Sequence, residues 1–181
     1  MGSRNVFAAL LSLVIFSTLS LSLCIAGSDR SEGEEKDKIV NDFIWGGWDF
    51  KIGNSLSDMR RAGKVRRESI RFEENKYDEK QKDEIRKLYF DGLYIEALFL
   101  AKNHRKGLIT VVEITKPTWK IKHGLNVGVS ISKVMSVLGE SYADKDNVYS
   151  YHCDHQIGMA SVYFHTQKGV VKKVKWISIP D

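Results

Sequence analysis

Val127-Gly128-Val129-Ser130-Ile131-Ser132-Lys133-Val134-Met135-Ser136-Val137-Leu138-Gly139 has the grammar of a turn, a capped helix and a stop. Gly128 suits a strand end or turn, Ser130 the N-cap, and Gly139 the stop. Ile131, Val134, Met135 and Leu138 recur at i, i+3, i+4 and i+7, so they share one helical face. The pattern occurs once before, in Ile52-Gly53-Asn54-Ser55-Leu56-Ser57-Asp58-Met59-Arg60-Arg61-Ala62-Gly63. There Ser55 takes the cap and Asp58 the third helical position, as in a capping box. Leu56, Met59 and Ala62 mark the buried stripe, and Gly63 ends the helix. The two copies align on Gly53 and Gly128. A chain built this way is most simply one unit used twice.

The segments C-terminal to the two copies are also alike. In the first half, Ile85–Phe90, Leu93–Ala101 and Leu108–Thr115 read as strands, with Asp91-Gly92 and Asn103–Gly107 as turns. Lys64–Phe72 alternates in part and could be a further strand. Glu73–Lys87 is dense in mixed charge and suits a solvated helix or a long hairpin loop, and a short exposed helix or loop is expected over Glu73–Asp83. In the second half, Asn147–Cys153, Met159–Thr166 and Val170–Ile179 are the strands. Val171, Val174 and Trp176 break period two, which predicts a bulge. The expected fold is α+β: two tandem helix-plus-three-stranded antiparallel meander units packed side by side, with strands able to join in one sheet. The units span 43–117, with an aromatic lead-in, and 118–181.

Met1–Ala26 carries one charge, Arg4, followed by an uncharged run from Val6 to Ile25. Cys24 and Ala26 before Gly27 meet the small-residue rule for a signal peptide cut after Ala26. The rival reading is an uncleaved anchor, which would be this chain's only route to a membrane. Leu23 before Cys24 makes a poor lipoprotein site, and Val6 replaces the Ser or Thr of a myristoylation motif. Location in the bacterial periplasm, or secretion, is therefore expected. After the cut, Cys153 is the single cysteine and no intramolecular disulfide can form. Gly27–Lys38 is charged and nearly free of apolar residues, which predicts a disordered tether over 27–42, with order beginning near Ile39. The formal net charge of +5 comes with Lys and Arg interleaved among Asp and Glu, which argues against a nucleic-acid binder.

The one ligand-rich cluster is His152-Cys153-Asp154-His155, with His165 on the next strand. His152 and Cys153 point to opposite faces of a strand, so neither a thiol–imidazole pair nor a zinc site forms without help from the loop. Solvated histidines beside a buried cysteine are expected, and no cofactor is. Ser55 and Ser130 are explained as caps. No phosphate loop, His-Glu-x-x-His or Gly-x-Ser-x-Gly is present. The aromatic residues offer more. Phe43, Ile44, Trp45, Trp48 and Phe50 form a dense patch around Gly46-Gly47, suited to packing or, if exposed, to anchoring a partner. Trp119, Tyr149, Tyr151, Tyr163 and Trp176 either line an open sheet face or fill the helix–sheet interface.

Val127, Gly128, Ser130, Val134, Leu138, Gly139, Tyr149, Tyr151, Val162, Phe164, Gly169, Val171, Val174 and Trp176 form a pattern that resembles the BamE/SmpA-like fold. The resemblance spans Ile52–Ile179 and is clearer in the second half. It implies helices on an antiparallel sheet, and two copies in tandem are similar in architecture to the β-lactamase inhibitory proteins. It further implies a non-enzymatic protein-binding module, of inhibitor or interaction type, that uses an exposed sheet face. Its partner would be another protein, with Trp45, Trp48, Trp119, Tyr149, Tyr151, Tyr163 and Trp176 as candidate contacts. An envelope assembly or structural factor is the alternative. A small metal- or thiol-dependent enzyme at His152, Cys153, His155 and His165 is the lesser one. The missing lipoprotein site separates this chain from the lipid-anchored members.

Overall fold

The capped helices form where the two serines place them. In the computed structural model, which describes residues 35–144, 147–155 and 158–180, Ser55 is the N-cap of helix α2, Leu56–Arg60. Its Oγ accepts from the Asp58 N–H at 3.1 Å and donates to the Asp58 carboxylate at 2.6 Å, so Asp58 completes a local cap as its position predicts. Ser130 caps α3, Ile131–Leu138, accepting from the Lys133 N–H at 3.3 Å, and Gly139 ends it at φ 82°. Gly128 sits at φ 101°, a conformation only glycine adopts without strain. Its N–H donates to Val171 O at 2.8 Å, and the Val171 N–H returns to Val129 O at 2.9 Å. The start of α3 is thereby stitched to the last strand.

The expected signal segment, its cut site, Cys24 and the tether from Gly27 as far as 34 lie outside the described residues. The chain divides into Met1–Lys38 and Ile39–Asp181, and the second unit carries the fold. Its first residues, 39–46, are helical (α1) and belong to a helix over 35–46, so the tether expected as far as 42 is corrected over this stretch. The reason is legible. Ile39, Val40, Phe43 and Ile44 make one helical stripe, with Phe43 and Ile44 buried and Ile39 and Val40 packed against the same core. Gly47 comes next and lets the chain pass Trp176. A Cβ there would lie 2.7 Å from Phe43 O and 2.9 Å from the indole.

The strands are β1 (Arg67–Asn75), β2 (Asp78–Tyr89), β3 (Leu93–Phe99), β4 (Leu108–Ile114), β5 (Tyr142–Asp144), β6 (Val148–His155), β7 (Gly158–Gln167) and β8 (Val170–Pro180). All pair antiparallel in one sheet of order β1-β2-β3-β4-β8-β7-β6-β5. The protein is therefore α+β with a single antiparallel sheet. Each half supplies four strands, where the sequence predicts a three-stranded meander. The helix or loop expected over Glu73–Asp83 is also corrected: it is the tip of the β1–β2 hairpin. Asn75 closes that tip as an Asx turn, its Oδ1 accepting from the N–H groups of Tyr77 and Asp78 at 2.9 and 3.1 Å. Below the tip, charge is paired across the ladder and with α2. Glu68 bonds Arg60 at 2.7 Å and Arg86 at 2.6 Å, and Arg86 also holds Glu84.

The bulge predicted near the C-terminus is present. His165 pairs with Lys173 but Thr166 with Val171, leaving Lys172 as the extra residue and burying both Val171 and Val174. One core joins α1, α2 and α3 to a single face of the sheet. Phe43 stacks on Phe164 at 5.9 Å and meets Trp176 at 5.6 Å, while Met59, Val134 and Leu138 bury into the same cluster. No helix among the described residues is long and apolar enough to cross a membrane.

Candidate functional site

Directly paired residues share a face, so the register shows what the helix-free face carries. One row crosses the sheet as Arg67, Tyr89, Tyr94, Glu113, Lys175, Tyr163 and Ser150. The next row runs Ser69, Lys87, Glu96, Val111, Ile177, Ser161 and His152. Among the described residues no helix packs over either row.

The rows interlock. Arg67 stacks 4.0 Å above the Tyr89 ring, and Tyr89 meets Tyr94 at 4.9 Å. Tyr94 donates to Glu96 at 2.5 Å, and Glu96 also takes Lys87 at 3.2 Å. Burial, reinforced by the Glu96 carboxylate, pushes the Tyr94 hydroxyl far above its ordinary range, so it remains a donor. Lys173 approaches Glu113 at 3.6 Å. Burial, and then Lys173, lower the pKa of His165, with Glu113 opposing and Lys175 adding to the fall. Two hollows flank the first-half strands. One, of about 340 Å³, is bounded by Tyr89, Tyr94, Glu113 and Thr115. The other, of about 250 Å³, lies between Tyr77, Leu98, Leu100 and Leu108, with Asp83 in its wall and Lys76 and Lys102 at its rim. The buried Asp83 carboxylate accepts from Asn75 Nδ2 at 2.9 Å and from the Ala101 N–H at 2.8 Å. It ties the hairpin tip to the β3–β4 loop.

Of the candidate contact residues, only Tyr163 lies on this open face. Trp176 is 2 % exposed and Tyr151 is 4 % exposed, both on the helix side, which takes them out of reach of a partner. Trp176 Nε1 donates to Phe43 O at 3.0 Å, and Tyr151 donates to Gly139 O at 2.9 Å. Burial raises the Tyr151 pKa to about 12. Trp48 packs edge-on to Trp176 at 5.7 Å, and Trp45 and Tyr149 pack against the core. Trp119 leans on Phe50 at 5.1 Å and donates to Asp91 O at 2.8 Å. These aromatics fill the helix–sheet interface because each falls on the first helix, at the strand parity that faces the helices, or in a connecting loop beside them.

His152 and Cys153 point to opposite faces as expected. His152 Nδ1 lies 2.8 Å from Ser161 Oγ and Nε2 lies 3.0 Å from Ser150 Oγ, so serine hydroxyls engage both ring nitrogens. Cys153 packs partly buried on the helix side as a free thiol. His165 lies four residues along β7 from the His152 partner Ser161, roughly 13 Å at strand rise, too far to share an ion. No group of three or more potential ligands converges among the described residues. The side chain of His155 lies outside them. Gly53 and Gly63 serve as close-approach positions: a Cβ on Gly53 would strike Asp58 at 2.3 Å, and one on Gly63 would press Trp119 at 3.2 Å.

Sequence reasoning missed Tyr89, Tyr94, Lys87, Glu96, Glu113 and Lys175. For Tyr94 and Glu96 the signal was present in Leu93-Tyr94-Ile95-Glu96-Ala97, where strict alternation puts both outward. The chain matches no family model, no curated protein and no solved structure.

Proposed function

We propose that this chain is an exported, non-enzymatic binding module that grips another protein with the open face of its sheet. The observation that carries this reading is the one-sided placement of the helices. All three described α-helices share one core on one face, and the other presents rows of tyrosine, lysine, arginine and glutamate on a rigid ladder. Tyrosine and arginine supply contact area at low entropic cost, and paired charges give specificity to the approach of a complementary surface. We further propose that the fold is a BamE/SmpA-like unit used twice, each copy a capped helix and four strands. The mirrored strand order about β4 and β8, together with the matched caps Ser55 and Ser130, supports that reading.

The test is affinity capture from bacterial envelope and culture fractions with three baits: the wild-type chain, Tyr163→Ala/Lys175→Glu on the open face, and Lys133→Glu on α3. One stoichiometric protein retained by the wild type and Lys133→Glu, and lost by the open-face variant, is the expected result. Equal retention by all three baits contradicts the assignment of the face.

A further inference from the structure

The two edges of the sheet are unlike. At one end β5 is three residues long, Tyr142–Asp144, a length that offers little to an incoming strand. At the other, β1 runs nine residues, and among the described residues β2 is the only strand paired with it. Alternate residues of such an edge turn both N–H and C=O outward. β1 has no proline and no lysine, the residues that commonly blunt an edge. Instead it carries two large apolar side chains on one face, Ile70 at 48 % and Phe72 at 59 % exposure. The other face carries Arg67, Ser69, Arg71 and Glu73, basic at the start and acidic at the end.

That order is self-complementary. Antiparallel pairing sets the basic end of one strand against the acidic end of another. We propose that β1 is the docking edge for a second copy of this chain, the two β1 strands pairing antiparallel about a two-fold axis at Phe72. This register places Phe72 against Phe72 on the helix side, flanked diagonally by both copies of Ile70. On the open side it sets Arg71 of each copy against Glu73 of the other. Those two residues are the ones available for exchange: they pair within one strand at 2.6 Å, with side chains 59 % and 48 % exposed. Arg67 is held on Tyr89, and Glu68 lies between Arg60 and Arg86. A two-fold axis perpendicular to the sheet keeps like faces on the same side. The dimer therefore presents two open faces in one direction, and a repetitive or dimeric target would gain from both.

The test is sedimentation velocity on the full-length chain over about 1–100 µM, the range in which a modest edge interface is populated. The expected species has twice the chain mass of 20.6 kDa. Phe72→Lys, at an exposed position, should be monomeric yet folded, with the circular dichroism spectrum of the wild type and a melting temperature that no longer rises with protein concentration. Arg71→Glu and Glu73→Arg should each be monomeric alone, since each sets like charges across the axis, while an equimolar mixture of the two should restore the dimer. Association driven by the apolar N-terminal run is blind to residues 71–73 and would not show this pattern. A wild-type monomer, a dimer that survives Phe72→Lys, or a mixture that stays monomeric overturns the proposal.

Discussion

Single residues carry three separable predictions. Asp83 is a buried carboxylate whose bonds reach Asn75 and the Ala101 N–H. Asp83→Ala leaves those donors without their acceptor and should cost about 2 kcal/mol in urea denaturation, with exchange at the hairpin tip accelerated most. Gly128→Val forces a β-branched residue to φ 101° and should cost on the order of 2 kcal/mol; an unchanged melting temperature would count against the turn. His165 gives a pH dependence. Its folded pKa lies below the ordinary value of 6.5, so the unfolded chain binds the proton more readily. The His165 contribution is therefore complete above the unfolded value and is lost as pH falls through 6.5 toward the folded one. Lys173 and Lys175 disfavour the imidazolium and Glu113 favours it. Melting temperatures between pH 7.5 and 5 should fall less steeply for His165→Gln than for the wild type.

At the scale of elements, the helix caps arise from local chemistry, and the sequence shows them plainly. A serine before an apolar stripe needs no tertiary information to cap. Ser130→Ala should destabilise by ~1 kcal/mol, read from chemical denaturation. The bulge in β8 was legible for the same reason: Val171 and Val174 can share a face only if a residue is inserted between them. The β1–β2 hairpin was legible only as an alternative, and the reach of its strands to Asn75 and Asp78 was not, because part of what makes it a strand pair is non-local. Glu68 is pulled upward by burial, yet Arg60 and Arg86 outweigh that and hold its carboxyl below the ordinary range. Arg60 comes from α2 and Arg86 from the neighbouring strand, so the ion pairs that hold β1 cannot be read from linear spacing. The helix over 35–46 was missed for a different reason. Its polar first turn resembles the tether, and its stripe becomes visible only when Ile39 and Val40 are read together with Phe43 and Ile44.

For the whole molecule, the sequence identified the α+β class and antiparallel strands with helices, but neither the joining of all strands in one sheet nor which aromatics face outward. Trp176 and Tyr151 looked like contact residues because strand parity could not be carried across the bulge and the turns without the register. Tyr94 and Glu96 lie in an unbroken alternation and were open to the same reasoning. The resulting sheet has one face committed to the core and one face of interlocked polar rows, and the proposed function rests on that asymmetry. Lysine modification in the presence and absence of the captured partner tests it most directly, because lysines mark both sides of the sheet. Protection of Lys87, Lys173 and Lys175 on the open face is expected, with Lys122 and Lys133 on the helix side modified as in the free chain. Protection confined to Lys122 and Lys133 would place the partner on the helix side and overturn the open face as the gripping surface.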